Sequence, residues 1–156
     1  MRICLAALFT LVTINDKYAT RLIKTFLELE YMSTIVHFEI PADDLERSKK
    51  FYSDMFGWKF EKFTLPDGMD YLIITTTDDQ GNKAIGGGMM KRQNPQHVVT
   101  NYIGVKSVDE YSAKISQSGG KVVIGKKAVP GMGYFAICLD TENNSFGIWE
   151  TDPNAK

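Results

Sequence analysis

The sequence predicts an α+β fold of two βαβββ modules, and three observations carry that prediction. The chain matches itself without gaps under a shift of 63 residues, each copy shows the same order of elements, and the apolar content can fill a core. Under the shift Ile40 falls on Ile103, Gly57 on Gly120 and Ile74 on Ile137; Gly68-Met69-Asp70-Tyr71 falls on Gly131-Met132-Gly133-Tyr134. A fixed period of this kind points to a duplicated supersecondary unit. A unit of about sixty residues buries too little surface to stand alone, so the two are expected to share one core. Each then supplies half of a curved sheet around a barrel-like cavity. The expected boundaries are 32–94 for the first module and 95–156 for the second, with 91–96 as the linker.

In the first module, Thr34 to Ile40 alternates and is rich in β-formers, a strand expected to end at Pro41, which has no ladder N–H. Asp43 or Asp44 then opens a helix with Leu45, Ser48, Phe51, Tyr52 and Met55 on or near one face, and Gly57 stands where a left-handed cap is usual. Trp58 to Phe63 alternates again. Leu65 to Gly68 is a turn, Tyr71 to Thr76 a strand, Asp78 to Asn82 a second turn, and Ala84 to Met90 a glycine-rich fourth strand. The second module repeats the order: strand Thr100 to Val105, helix Val108 to Ser118 stopped by Gly119-Gly120, and a strand from Lys121. Pro130-Gly131 turns into Tyr134 to Leu139, and Asn143-Asn144 into Ser145 to Glu150.

Residues 1–31 differ. Ile3 to Ile14 is an apolar run broken only by Thr10 and Thr13. It lacks a small-x-small cleavage site and is shorter than the ~20 residues of a membrane span. Tyr18, Leu22, Phe26 and Leu29 follow at helical spacing after Asp16. This segment reads as a helical extension, or as sequence upstream of a start at Met32. No stable membrane span is expected, and the setting is read as cytoplasmic.

Composition excludes whole classes of function. Eighteen basic against nineteen acidic residues leave a formal charge of -1, without the basic excess that phosphate neutralisation requires, so nucleic acid is not an expected partner. Nine Phe, seven Tyr and two Trp argue against disorder. Cys4 and Cys138 are too few for a disulfide framework and read as reduced thiols.

The run Val36-His37-Phe38-Glu39-Ile40-Pro41-Ala42-Asp43-Asp44-Leu45-Glu46-Arg47-Ser48, continued by Phe51-Tyr52 and Phe56-Gly57-Trp58, resembles the opening strand and helix of the vicinal-oxygen-chelate superfamily. Gly119-Gly120-Lys121-Val122-Val123 and the stretch from Asp140 to Glu150 are similar to its second-module helix stop and final hairpin. That superfamily contains glyoxalases, extradiol dioxygenases and bleomycin-resistance proteins. The resemblance implies the glyoxalase/bleomycin-resistance fold, a small-molecule ligand and a homodimer.

In metal-dependent members, the first and last strands of each module supply four His/Glu-type ligands. Carried onto this chain, those positions fall on His37, Thr100, Gly87 and Gly147. A divalent cation is held by imidazole and carboxylate, not by glycine, so His37 alone matches. No cofactor is expected, and a rebuilt divalent-metal site would have to draw on Glu39, His97 or Glu150. His37 and Glu39 share a strand face by alternation and are the candidate catalytic pair. Thr100, Tyr102, Gly87, Tyr71, Tyr134 and Trp149 are the candidate ligand-binding residues, the aromatics as a stacking wall. The expected function is glyoxalase-like small-molecule binding, with lyase- or isomerase-type chemistry on an oxygenated substrate. The alternative is a sequestering protein of the bleomycin-resistance type, and a metal-dependent lactoylglutathione lyase ranks last.

Overall fold

Alternation decides which residues of each strand meet a helix, and the two helices lie on the same face of one sheet. The computed structural model describes residues 33–65 and 68–156; the readings of residues 1–31, Cys4 among them, and of Met32, Pro66 and Asp67 lie outside the described residues. Strand β1 (Ile35–Ala42) directs Phe38, Ile40 and Ala42 into a cluster with Leu72, Ile74 and Met89 beneath α1 (Leu45–Phe56). Asp44 caps that helix, its Oδ1 accepting from the Arg47 N–H at 2.9 Å. Gly57 ends it with φ 68°, its N–H donating to Ser53 O at 3.0 Å. Strands β2 (Lys59–Thr64), β3 (Asp70–Thr75) and β4 (Gly87–Lys91) complete the module.

The second module repeats this with β5 (Thr100–Gly104), α2 (Val108–Gln117), β6 (Lys121–Val129), β7 (Gly133–Leu139) and β8 (Ser145–Thr151). Ser107 caps α2, and Val105, Val108, Ala136, Cys138 and Ile148 form its core. The strand order is β2-β3-β4-β1-β5-β8-β7-β6, with the modules joined by the antiparallel β1–β5 pair. The curved sheet is not closed. Strands β2 and β6 remain its edges, so the curved sheet expected from the two modules is an open eight-stranded one. No helix of the described residues is long and apolar enough to cross a membrane.

Two strand limits differ from expectation for local reasons. Strand β1 continues through Pro41 to Ala42 because only β4 pairs with it there, while β5 starts opposite Glu39. The missing proline N–H therefore faces no partner strand. Strand β4 starts at Gly87 rather than Ala84, because residues 84–86 are held by a different set of bonds. Ala84 N donates to Thr76 O at 3.1 Å, and Thr76 Oγ1 donates to Ile85 O at 2.8 Å.

The repeat does not hold its offset through the third strands. Strand β2 pairs with β3 without interruption, whereas β6 carries register shifts at Val122/Ile124 and Ile124/Lys127. These bulges slip the second module, so Leu72 and Ile74 correspond in packing to Ala136 and Cys138. The apparent match of Tyr71 to Tyr134 therefore joins residues on opposite faces of the sheet.

Candidate functional site

The face without helices gathers His37 and Glu39 from β1, Tyr71 from β3 and Tyr102 from β5. The Tyr71 hydroxyl donates to Glu39 Oε1 at 3.1 Å, and the Tyr102 hydroxyl donates to Glu39 Oε2 at 2.6 Å. His37 Nε2 lies 2.9 Å from the Tyr71 oxygen. Because the single phenolic proton of Tyr71 goes to Glu39, the imidazole must donate its Nε2–H to that oxygen. The result is one chain of hydrogen bonds, His37 to Tyr71 to Glu39, with Tyr102 joining from the other module.

Two glycines make this chain possible. A Cβ built on Gly88 would sit 1.7 Å from the Tyr71 hydroxyl oxygen, and one on Gly147 would sit 2.2 Å from Tyr102 Cδ1. Both tyrosines thus lie directly over bare backbone, and the space that β4 and β8 side chains would fill holds phenol rings.

Burial sets the electrostatics. His37 is held below its ordinary value of 6.5 because burial outweighs the attraction of Glu39. The Tyr71 and Tyr102 phenols are pushed far up, by burial first and by the Glu39 charge second. Both therefore remain donors throughout the neutral range. The unfolded chain takes up a proton on His37 before the folded chain does, so stability is full above about pH 6.5 and falls as pH drops towards the folded-state value. Urea midpoints measured from pH 8 to pH 4.5 are expected to show this decline, and His37→Gln is expected to remove it. The separate loss from Asp44, Asp78 and Asp140, held low chiefly by the backbone and Asn side-chain bonds they accept, begins only near pH 4 and persists in the variant.

Other predicted residues fall out differently. Thr100 pairs with Glu39 on the same face and is buried, its Oγ1 donating to Val98 O at 3.3 Å. Trp149 also faces this side, its Nε1–H donating to Thr151 Oγ1 at 2.9 Å. Gly87 does not line the face: a Cβ there would meet the Phe38 ring at 2.5 Å, on the helix side, and Gly88 takes the place expected of it. Tyr134 is corrected too, since it packs against the α2 core with Lys126 Nζ 4.3 Å above its ring. Phe135, whose ring lies 6.4 Å from that of Tyr102, stands in the aromatic row instead.

The donor set does not fit a four-ligand divalent cation. Among the described residues no three His, Cys, Asp or Glu side chains are grouped to hold a metal. Glu150 points to the helix side, where its Oε2 accepts from Val108 N at 2.7 Å and pairs with Lys126 at 3.2 Å. His97 sits in the linker, its Nδ1 accepting from Gln93 N at 3.3 Å. Cys138 is fully buried, and burial pushes its thiol up, away from nucleophilic use.

Comparison with known proteins agrees with this architecture. The bleomycin resistance protein-like N-terminal family matches residues 34–76. A glyoxylase-like domain-containing protein of Didymella fabae is 31% identical over 118 residues, covering 70% of this chain and 88% of that protein. The anthracycline biosynthesis protein DnrV of Streptomyces peucetius is 22% identical over 126 residues, or 72% of this chain, which spans only 45% of that longer protein. Among solved structures, Streptomyces coelicolor methylmalonyl-CoA epimerase in complex with 2-nitronate-propionyl-CoA superposes with a TM-score of 0.60 at 14% identity, over 78% of this chain and 99% of that one. The open eight-stranded sheet and these relatives together place the chain in the glyoxalase-like family of the vicinal-oxygen-chelate, glyoxalase/bleomycin-resistance superfamily.

Proposed function

We propose that the chain binds a small organic molecule on the helix-free face of its sheet, with Glu39 as the polar anchor and Tyr102, Phe135 and Trp149 as the apolar wall. The observation that carries this reading is the Glu39 carboxylate, fixed by two phenol donors drawn from different modules, with a row of aromatic rings beside it. Ligand sites combine few fixed polar groups with apolar walls in this way. A thermal-shift screen over drugs and metabolites finds the ligands. In a Trp58→Phe background only Trp149 fluoresces from tryptophan, because the chain has two. Bound ligand is expected to change that emission, and Glu39→Gln to weaken binding by about tenfold or more. Hits that leave the Trp149 emission unchanged and bind Glu39→Gln equally well would overturn the reading.

The continuous path from His37 through Tyr71 to Glu39 favours a second reading, acid/base catalysis of a lyase or isomerase type. There the carboxylate takes a proton from the substrate, and the connected phenol and imidazole adjust their protons as its charge is neutralised. Turnover lost in His37→Ala, with ligand affinity retained, is the result that separates catalysis from binding alone.

A further inference from the structure

The hydrogen bonds around Glu39 specify what a ligand group there must bring. The His37 Nε2–H is given to Tyr71, and both phenol protons are given to Glu39. The Thr100 hydroxyl donates to Val98 O and the Trp149 indole to Thr151. Acceptors remain: the unused lone pairs of Glu39 and of the tyrosine oxygens, and Nδ1 of His37. Farther along the face, Lys127 stands opposite Phe135 and the Thr151 hydroxyl keeps its own proton. Around Glu39, however, the donors are spent, so a group that meets Glu39 must donate hydrogen bonds.

Charge narrows the choice. Glu39 is half-buried, and a carboxylate withdrawn from water is ordinarily met by a cation. Glu150 shows the ordinary case, with Lys126 at 3.2 Å. Among the described residues no lysine or arginine stands within ion-pair distance of Glu39, and the neighbouring imidazole is kept neutral by burial. Two phenol donors moderate the charge without cancelling it. The surroundings are aromatic: the His37 and Tyr102 rings lie 5.7 Å apart and those of Tyr102 and Phe135 6.4 Å apart, faces that attract a cation.

We propose that this face takes a protonated organic amine, its ammonium between Glu39 and His37 Nδ1 and its aromatic or aliphatic body along Tyr102, Phe135 and Trp149. This rests on the reading of the helix-free face as the ligand site, and it goes further by fixing the ligand's charge and donor group. A neutral alcohol supplies a donor and leaves the carboxylate without a counter-charge. A carboxylate ligand supplies neither. A divalent ion meets only two side chains able to ligate it.

Three matched probes test the proposal by NMR titration at pH 7: phenethylamine, which is protonated there, 2-phenylethanol and 3-phenylpropanoate, with zinc and magnesium ions titrated alone. Phenethylamine is expected to shift the Trp149 indole and Tyr102 signals and to bind about tenfold tighter than the alcohol, with 3-phenylpropanoate weakest. Glu39→Gln is expected to bring amine and alcohol within about twofold of each other. Tyr102→Phe keeps both ring and carboxylate, and is expected to retain the preference for the amine. Alcohol or 3-phenylpropanoate binding as well as the amine, while shifting Trp149, would leave the face as a ligand site and overturn the amine. No probe shifting Trp149 or Tyr102 would overturn both. Stoichiometric zinc or magnesium at Glu39, displacing the amine, would overturn it in favour of a metal.

Discussion

Gly133→Ala is expected to destabilise the chain by about 3 kcal/mol or more, at the upper end for a single methyl group. A Cβ at this position would lie 2.2 Å from the Glu150 carbonyl oxygen and 2.8 Å from Trp149 Cζ2. Carbon–oxygen contacts ordinarily stop at about 3.3 Å, so roughly 1 Å must be found. Side chains cannot supply it, because the obstructing atom belongs to the backbone of β8. That strand is paired to β7 along its whole length, from Gly133 opposite Thr151 to Leu139 opposite Ser145. Its end is tied further by Asp152 N donating to Met132 O at 3.1 Å. Relief thus requires opening the β7–β8 ladder, which also holds Glu150 against the start of α2. Urea unfolding reads the loss directly. Gly125→Ala is the control, since nothing lies within 4 Å of a Cβ there, and it is expected to stay within about 0.5 kcal/mol of the parent chain. Equal costs for the two substitutions would sink the argument.

The elements of the fold were legible because their signals are local. Asp44 capping α1 and Gly57 ending it follow from side-chain chemistry and backbone freedom at single positions. The pairing of His37 with Glu39 was legible for the same reason, since alternation within one strand fixes a shared face. What failed depended on register between strands. The match of Tyr71 with Tyr134 required an unbroken repeat, and the two bulges in β6 have no strong sequence mark. Gly87 was preferred to Gly88 by position alone; only the pairing of Phe38 with Gly87 and of Glu39 with Gly88 assigns their faces. Alternation outward from Leu72 and Ile74 would have placed Tyr71 on the face away from the helix, and the same step from Ala136 would have done so for Phe135.

Gly147→Ala is expected to detach Tyr102 from Glu39, lowering stability by about 2–4 kcal/mol and abolishing ligand binding on the helix-free face. A Cβ at Gly147 would lie 2.2 Å, 2.4 Å and 2.8 Å from Cδ1, Cε1 and Cγ of the Tyr102 ring. Carbon atoms in contact sit about 3.5–4.0 Å apart, so the whole ring must rise from β8. As it rises, the 2.6 Å bond from its hydroxyl to Glu39 Oε2 breaks, and a half-buried carboxylate loses one of its two phenol donors. At Gly88 the obstruction reaches only the tip of Tyr71, from its hydroxyl to Cε1. Gly88→Ala is therefore expected to cost less stability, about 1–2 kcal/mol, while still severing the path between His37 and Glu39. The two components separate in a double-mutant cycle. In a Tyr102→Ala background the ring is gone, and Gly147→Ala is expected to cost under about 0.5 kcal/mol. Additive losses would show that the glycine matters for some other reason. The same geometry bears on the metal positions of related proteins. Gly88 and Gly147 lack donor atoms, and the volume a ligand side chain would need is already filled by phenol rings that satisfy Glu39. Installing histidine or glutamate at these two positions alone is thus expected to yield no zinc binding by equilibrium dialysis. Removing Tyr71 and Tyr102 together with that change is expected to be required.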